Sequence, residues 1–390
     1  MATNLKDKYA VVGVGQSPIG EVPTMDSISL LAVAMKEAIE DCGLTNRDVD
    51  GIICRGPDEV YTHHQRMGNV LGINARFSTA LTSGGASQCS AVALAAMAIE
   101  AGMCDTVVCG YGRNTWSRTR KKKGTRQGSG RGIRLTGEAV EFGPEYGHFG
   151  AAAQHAFGCR RHMHLYGTTK DQLGHIAVTF RKHASLNPLA QMREPITMED
   201  YHKAPPVVEP FSRLDCSLNT DGAGAVVVTS AERAKDLKQR PVLVMGFGQK
   251  NNTRGWYHGE NMTTLGGKES AATAFRMAGI TPSDVDMAQI YDCFTYIVMV
   301  TLEDYGFCNK GEGGSFVSSG ALALGSTLPT NTSGGQLSEG HVEGMLQVVE
   351  AVHQLRGDRP PGRQVKDAEI GIVSGHGGNT VCHSTLILRR

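Results

Sequence analysis

The sequence predicts a layered α/β fold built from two copies of one unit, related by a pseudo-twofold axis, with a loop domain inserted between them. Strand-like apolar runs alternate with helical periodicities along the chain, which implies helices packed on mixed sheets. The octapeptide Gly43-Leu-Thr-Asn-Arg-Asp-Val-Asp50 returns as Gly279-Ile-Thr-Pro-Ser-Asp-Val-Asp286, identical at five of eight positions, as expected of an internal repeat. The stretch from Trp116 to Arg240 has no counterpart in that repeat.

The first copy opens with the β-type run Val11-Val-Gly-Val-Gly15. Apolar side chains at helical spacing follow from Ile28 (Leu30, Leu31, Val33, Ala34, Ile39), and Gly43 closes the helix. The octapeptide leads into the strand Ile52-Ile53-Cys54; a helix over Ala91–Ala101 and a strand over Thr106–Gly110 complete the unit. The intervening stretch holds a Gly/Lys/Arg-rich run, helices around 151–166 and 170–184, and an apolar strand over Gly224–Val228 that should close the first half. The second copy repeats the order: Val242-Leu-Val-Met-Gly-Phe-Gly248, a helix over Ser270–Ala278 ending at Gly279, the strand Ala288-Gln-Ile290, a helix over Val342–Leu355 and the strand Ile370–Ser374. The expected units are therefore 1–115, 116–240 and 241–390.

Composition narrows the function classes. The 390 residues are 40% hydrophobic and 20% charged with a formal net charge of +1, which excludes a disordered chain and any global attraction to nucleic acid or membrane. Residues 1–10 lack the apolar core of a signal peptide and no long uncharged apolar run follows, so a cytoplasmic protein is expected. Ten cysteines are spread without a CxxC pair, the pattern of reduced, mostly buried thiols; no metal site is expected.

The local motifs carry a resemblance. Ser83-Gly-Gly-Ala-Ser87, Asn219-Thr-Asp-Gly-Ala223, Tyr291-Asp-Cys-Phe-Thr295, Leu302-Glu-Asp-Tyr-Gly-Phe-Cys308, Asn331-Thr-Ser-Gly-Gly-Gln-Leu-Ser338 and Gln354-Leu-Arg-Gly357, in this order and spacing, resemble the thiolase superfamily. The nearest likeness is its sterol carrier protein X branch, within it the lipid-transfer-protein aldolases of bacterial steroid breakdown. The resemblance implies the thiolase fold for the two halves. It places the thiolase nucleophilic cysteine on Gly85, with Cys89 one helical turn later as either a packing residue or a displaced thiol. It places the thiolase Gly-His-Pro histidine on His341, where the steroid aldolases typically carry tyrosine, and a catalytic tyrosine of the aldolase branch on Tyr291. Asp292 is the candidate to cap the helix that follows it, or a weaker catalytic candidate. The second thiolase cysteine falls near Ser374, with His376 in the adjoining space.

Reactions of this superfamily pass through an enolate on a thioester carbonyl, so the site needs donors to that oxygen and a base nearby. Gly85, Gly334, Gly335 and Gly377 lie in glycine-rich loops that allow close backbone approach. With no cysteine at either thiolase position, thiolytic cleavage lacks its nucleophile. Retro-aldol cleavage of a β-hydroxyacyl-CoA needs only a base, Tyr291 or His341, and stabilisation of the departing enolate; a tyrosine base requires a pKa lowered from about 10, as by a neighbouring positive charge. The leading expectation is thus an acyl-CoA carbon-carbon lyase. A thiolase or acyltransferase using Cys89 and His341 is the alternative, and a non-catalytic scaffold subunit the third reading.

Between Arg118 and Arg134 lie eight Lys or Arg and no acid. Arg118, Lys121, Lys122 and Lys123 are candidates for the coenzyme A phosphates, while the lack of interleaved aromatics argues against nucleic acid. A coenzyme A thioester is the expected substrate, with no covalently bound cofactor. The resemblance further implies a homodimer and a separate OB-fold, zinc-ribbon partner subunit.

Overall fold

The computed structural model describes residues 5–56, 62–121, 150–251, 261–377 and 382–390. Lys122, Lys123 and the rest of the basic run to Arg134 lie outside them, as does the side chain of Lys121.

One nine-stranded sheet runs through the described residues. Its strands are β1 (Tyr9–Gln16), β2 (Gly51–Arg55), β3 (Phe77–Thr79), β4 (Thr106–Asn114), β7 (Asp221–Ser230), β8 (Val242–Asn251), β9 (Met287–Gln289), β10 (Ile370–Gly377) and β11 (Cys382–Arg389). The short strands β5 (Pro206–Val208) and β6 (Phe211–Ser212) form a separate pair. The order in the large sheet is β3-β2-β4-β7-β1-β8-β11-β10-β9.

Read outward from the β1/β8 junction, the two sides match. β7 pairs antiparallel with β1 and β4, and β4 runs parallel to β2; β11 pairs antiparallel with β8 and β10, and β10 runs parallel to β9. Where the first side adds β3 parallel to β2, the second has a single parallel bridge, Ala288 to Thr330. The halves do not keep separate sheets. β1 and β8 pair antiparallel at Ala10–Leu243 and Val11–Val242, which places the pseudo-twofold axis between them.

The octapeptides explain why the repeat is legible. In each, a glycine with positive φ (Gly43, +77°; Gly279, +68°) ends the helix, Ser27–Asp41 or Gly267–Ala278. A threonine and an aspartate three residues later then form a capping box around a single 3-10 turn: Thr45 with Asp48, and Thr281 with Asp284. The glycines of the two opening strands match as well. A Cβ on Gly13 or Gly15 would lie 2.0 or 2.1 Å from a carbonyl oxygen of the first helix, and one on Gly246 or Gly248 would lie 2.4 or 2.1 Å from one of the second. Both helices therefore sit in backbone contact with their strands.

The strands alternate between two buried faces. Val226 and Val228 join the cluster that packs the helices Ser87–Glu100 and Met345–Arg356, while Val227 joins the cluster under helix Ser27–Asp41. The helices Ser87–Glu100 and Met345–Arg356 each touch strands of both halves and one another. Alanines at 91, 93, 95, 96 and 98 leave the former buried on most of its circumference, which permits this close approach on several sides. The helix expected from Val342 starts only at Met345, because Glu343 and Gly344 take positive φ (+45° and +88°) and break the helical path.

Candidate active site

β9 ends at Gln289, two residues before Tyr291. The side chain of Asn331 continues the pairing in place of a strand: Ile290 N–H donates to Asn331 Oδ1 (2.7 Å) and Asn331 Nδ2 donates to Ile290 O (2.8 Å). Asn331 itself sits in the left-handed region at φ +49°, a conformation asparagine tolerates better than most residues. Tyr291 N–H then donates to Ser374 Oγ (2.8 Å). These three bonds aim the buried phenol between two glycines. A Cβ built on Gly85 would fall 2.1 Å from Tyr291 Cε2 and 2.4 Å from its hydroxyl oxygen, and one on Gly344 would fall 3.1 Å from Cδ2. The Tyr291 ring thus fills the volume that any side chain at position 85 would need.

His341 faces the phenol. Its Nε2 lies 3.4 Å from Tyr291 Oη and its Nδ1 lies 3.1 Å from Ser217 Oγ. Its backbone is held from both ends: His341 N–H donates to Thr220 Oγ1 (2.9 Å), and Arg113 Nη1 donates to His341 O (3.3 Å). Two residues on, Glu343 accepts from Arg55 Nη1 (2.5 Å) and from Tyr111 Oη (2.9 Å). That network pins the segment carrying both His341 and the strained Glu343.

Burial dominates the electrostatics. It raises the Tyr291 pKa well above 10, and Cys293 and Glu343 push the same way against the weaker pull of Arg113. The expectation of a phenol acidified by a nearby cation is therefore overturned: a dry environment disfavours the phenolate more than Arg113 favours it.

Cys89 lies in the core, 2% exposed. Its thiol donates to Val373 O (3.7 Å) and burial pushes its pKa up to about 12. Asp292 is fully buried and accepts from Gln336 N–H (2.8 Å), Leu337 N–H (3.1 Å) and Gln347 Nε2 (2.8 Å). It ties down the Gly335–Ser338 turn, whereas the helix that follows it, Thr295–Tyr305, has Phe294 at its N-cap; the capping expected for that helix is not made. Burial raises Asp292 to about 7 against the pull of those donors.

The loop glycines serve close contacts. Gly334 donates its N–H to Asn331 O (2.9 Å), and a Cβ there would meet Ala184 at 2.5 Å; one on Gly335 would meet Asp292 Oδ2 at 2.2 Å. A Cβ on Gly377 would lie 1.9 Å from Ser83 O, so the end of β10 packs directly on the turn containing Gly85. Arg118 lies on the helix Thr115–Lys121, whose Ser117 N–H donates to Asp221 Oδ1 (3.0 Å).

Tyr291, His341 and His376 come together; the ring centroids of His341 and His376 are 6.3 and 6.2 Å from that of Tyr291. Ser217, Thr220, Asn331, Ser374 and Glu343 orient Tyr291 and His341, and sequence reasoning did not single these out for that role. Thr220, Asn331 and Glu343, the last in Gly340-His-Val-Glu-Gly344, lie inside motifs of the sequence, and Ser374 marks the second thiolase cysteine position; Ser217 carried no signal. Among the described residues no group of three or more His, Cys, Asp or Glu is placed to hold a metal ion, and no helix is long and apolar enough to cross a membrane.

Residues 248–390 match the family described as thiolase C-terminal domain-like. The chain is 37% identical over 368 residues to the 17-hydroxy-3-oxo-4-pregnene-20-carboxyl-CoA lyase of Mycobacterium tuberculosis, covering 90% of this chain and 92% of that one. It is 34% identical over 363 residues to the steroid side-chain-cleaving aldolase of Thermomonospora curvata, covering 89% and 90%. The solved structure of the Ltp2-ChsH2(DUF35) aldolase superposes with a TM-score of 0.89 at 32% identity over 99% of each chain. A thiolase fold, with relatives of this similarity over about nine tenths of the chain or more, places the chain in the thiolase superfamily, within its SCP2-thiolase-like aldolase branch.

Proposed function

We propose that the chain cleaves a β-hydroxyacyl-CoA by a retro-aldol reaction, releasing a ketone or aldehyde and a shorter acyl-CoA. The observation that carries this is the Tyr291 ring in the space of a residue-85 side chain, with its hydroxyl 3.4 Å from His341 Nε2. A phenol there offers proton transfer where a thiolase would offer a sulfur nucleophile. Because burial keeps the phenol protonated, it works as a relay. Tyr291 Oη accepts the β-hydroxyl proton as its own proton passes to His341 Nε2. The O–H electron pair becomes the new C=O, the Cα–Cβ bond breaks, and its pair forms the thioester enolate, which the imidazolium at His341 faces. Proton return to Cα completes the shorter acyl-CoA.

The likeness to an aldolase named jointly for Ltp2 and ChsH2(DUF35) supports a separate partner subunit. Its OB-fold and zinc-ribbon character, a homodimeric core, a cytoplasmic location and the division at 115/116 and 240/241 belong to the same proposal, as does coenzyme A phosphate binding by Arg118, Lys121, Lys122 and Lys123.

The test is turnover, by the chain together with its co-purifying partner, of a panel of β-hydroxyacyl-CoAs without free coenzyme A, against β-ketoacyl-CoAs with it. Cleavage of the former, lowered about a hundredfold or more in kcat by Tyr291→Phe or His341→Ala, is the expected result. Cleavage of β-ketoacyl-CoAs alone, dependent on free coenzyme A and abolished by Cys89→Ala, overturns the proposal in favour of a thiolase.

A further inference from the structure

The backbone of His341 is held by a cation that has no acid of its own. Arg113 lies half-buried near the end of β4. Its Nη1 donates to His341 O (3.3 Å) and its Nε donates to Thr115 Oγ1 (2.8 Å). These two bonds fix the plane of the guanidinium and leave Nη2 without a hydrogen-bond partner among the described residues, none of which brings a carboxylate to ion-pair distance.

The carboxylates of this region are committed elsewhere. Glu343 accepts from Arg55 and Tyr111. Asp221, on the strand beside β4, accepts from Ser117 N–H (3.0 Å), from the Ser117 hydroxyl and from Val22 N–H (3.2 Å). Arg55 and Glu343 therefore cancel, and the charge of Arg113 is left over, close enough to pull on Tyr291. A partly buried cation is costly unless an anion meets it, and a guanidinium held in one plane with Nη2 open is shaped to fork onto a carboxylate. Coenzyme A carries anions too, but its phosphates stand a pantetheine arm away from the thioester. Arg113 is bonded to the residue whose ring serves the β-oxygen, so an anion that reaches it belongs to the acyl group.

We propose that Arg113 is a specificity-determining residue that binds a carboxylate carried by the acyl group beyond Cβ, so that the substrate is a β-hydroxyacyl-CoA with a second, free carboxyl group and the fragment released is an oxo acid. This rests on the retro-aldol reading of the same site. Nη2 and the second Nη1 proton donate to the two carboxylate oxygens, while the first Nη1 proton stays on His341 O. The acyl chain is then held at the thioester on one side of the Cα–Cβ bond and at Arg113 on the other, which presents the β-hydroxyl to Tyr291 in a fixed orientation. The carboxylate itself does not react. By neutralising Arg113 it removes the pull that favours the phenolate of Tyr291, and the phenol stays protonated as a relay requires.

The test uses the chain with its co-purifying partner and substrates paired to differ only in charge: β-hydroxyacyl-CoAs that end in a free carboxylate, over a series of spacer lengths, each against its methyl ester. Wild type is expected to favour the acid of at least one pair by about tenfold to a hundredfold in kcat/KM, the worth of a hydrogen-bonded charge. Arg113→Gln should abolish that preference, and Arg113→Lys, which keeps the charge without the fork, should retain part of it. Losing the bond to His341 O slows both members of a pair alike, so the ratio separates the subsite from a structural effect. Glutaryl-CoA and adipyl-CoA, which lack a β-hydroxyl and are not cleaved, should show the same preference over their methyl esters in calorimetric binding. Equal treatment of every acid and ester by wild type overturns the proposal, as does a preference that survives Arg113→Gln. A loss in Arg113→Gln that disappears with 3′-dephospho-coenzyme A esters assigns the guanidinium to the coenzyme instead and also overturns it. Cleavage without an Arg113-dependent preference defeats this proposal alone; absence of cleavage, with the preference intact in binding, defeats the retro-aldol reading alone.

Discussion

Gly85→Ala tests the placement of the phenol without altering a reacting group. The added methyl would lie 2.1 Å from Tyr291 Cε2, 2.2 Å from Cζ and 2.4 Å from the hydroxyl oxygen, all far inside van der Waals contact. The ring has little room to withdraw: Gly344 backs its Cδ2 edge, where even a hypothetical methyl would sit at 3.1 Å, and its backbone is held by Ser374 and, through Ile290, by Asn331. Overpacking of this kind costs about 1–3 kcal/mol of folding stability. The displaced hydroxyl also loses its 3.4 Å register with His341. A hundredfold loss in kcat, equivalent to about 2.7 kcal/mol in the barrier, is expected, together with a lowered denaturation midpoint. The assay is a double-mutant cycle on β-hydroxyacyl-CoA cleavage with Gly85→Ala and Tyr291→Phe. If the methyl acts by moving the phenol, its kinetic effect should largely vanish once the hydroxyl is gone. Full activity in Gly85→Ala, or losses that simply multiply in the double variant, would refute the reasoning.

Cys89→Ala should retain most lyase activity and cost about 1 kcal/mol of stability, since one buried thiol leaves a small cavity; equilibrium unfolding and turnover on one preparation check both. Asn331→Ala strips Ile290 of a donor and an acceptor in a buried position, so about 2 kcal/mol or more should be lost. Its kcat should fall with Tyr291 free to shift, and unchanged kinetics would show that the strand extension does not position the phenol. For Asp292, burial raises the folded-state pKa to about 7 from 3.8. The folded protein therefore binds this proton more tightly than the unfolded chain, and the stabilising contribution, complete below about pH 4, declines as pH rises to about 7. Asp292→Asn should flatten the fall in urea midpoint between pH 5 and pH 8, and a parallel pH dependence in the variant would contradict it.

Much of the architecture was legible before any coordinates, because it rests on local chemistry. The Thr45/Asp48 and Thr281/Asp284 capping boxes, each behind a positive-φ glycine, are closed within a few residues and so leave a mark in the octapeptide itself. The glycine pairs of β1 and β8 mark helices pressed onto strands, and the repeat order carries over into the sheet order. The absence of cysteine at 85 and 374 and the tyrosine at 291 likewise pointed away from sulfur chemistry once the thiolase resemblance had placed those positions, whereas His341 kept the thiolase histidine.

What the sequence could not decide was every property that depends on distant segments meeting. Tyr291 reads as a candidate base until the fold buries it, and only then does desolvation outweigh Arg113 and turn it into a neutral relay. Glycine at 85 reads as a missing nucleophile; only the tertiary structure shows that the vacated volume is filled by a side chain 206 positions away, Tyr291. The join of the two halves through β1 and β8, the Asn331 side chain standing in for a strand, and the contact between His155 and His376 are likewise set by long-range packing. Local propensity writes helices, turns and caps into neighbouring residues, whereas burial, proton affinity and the aim of a side chain are fixed by whatever the rest of the chain places around it.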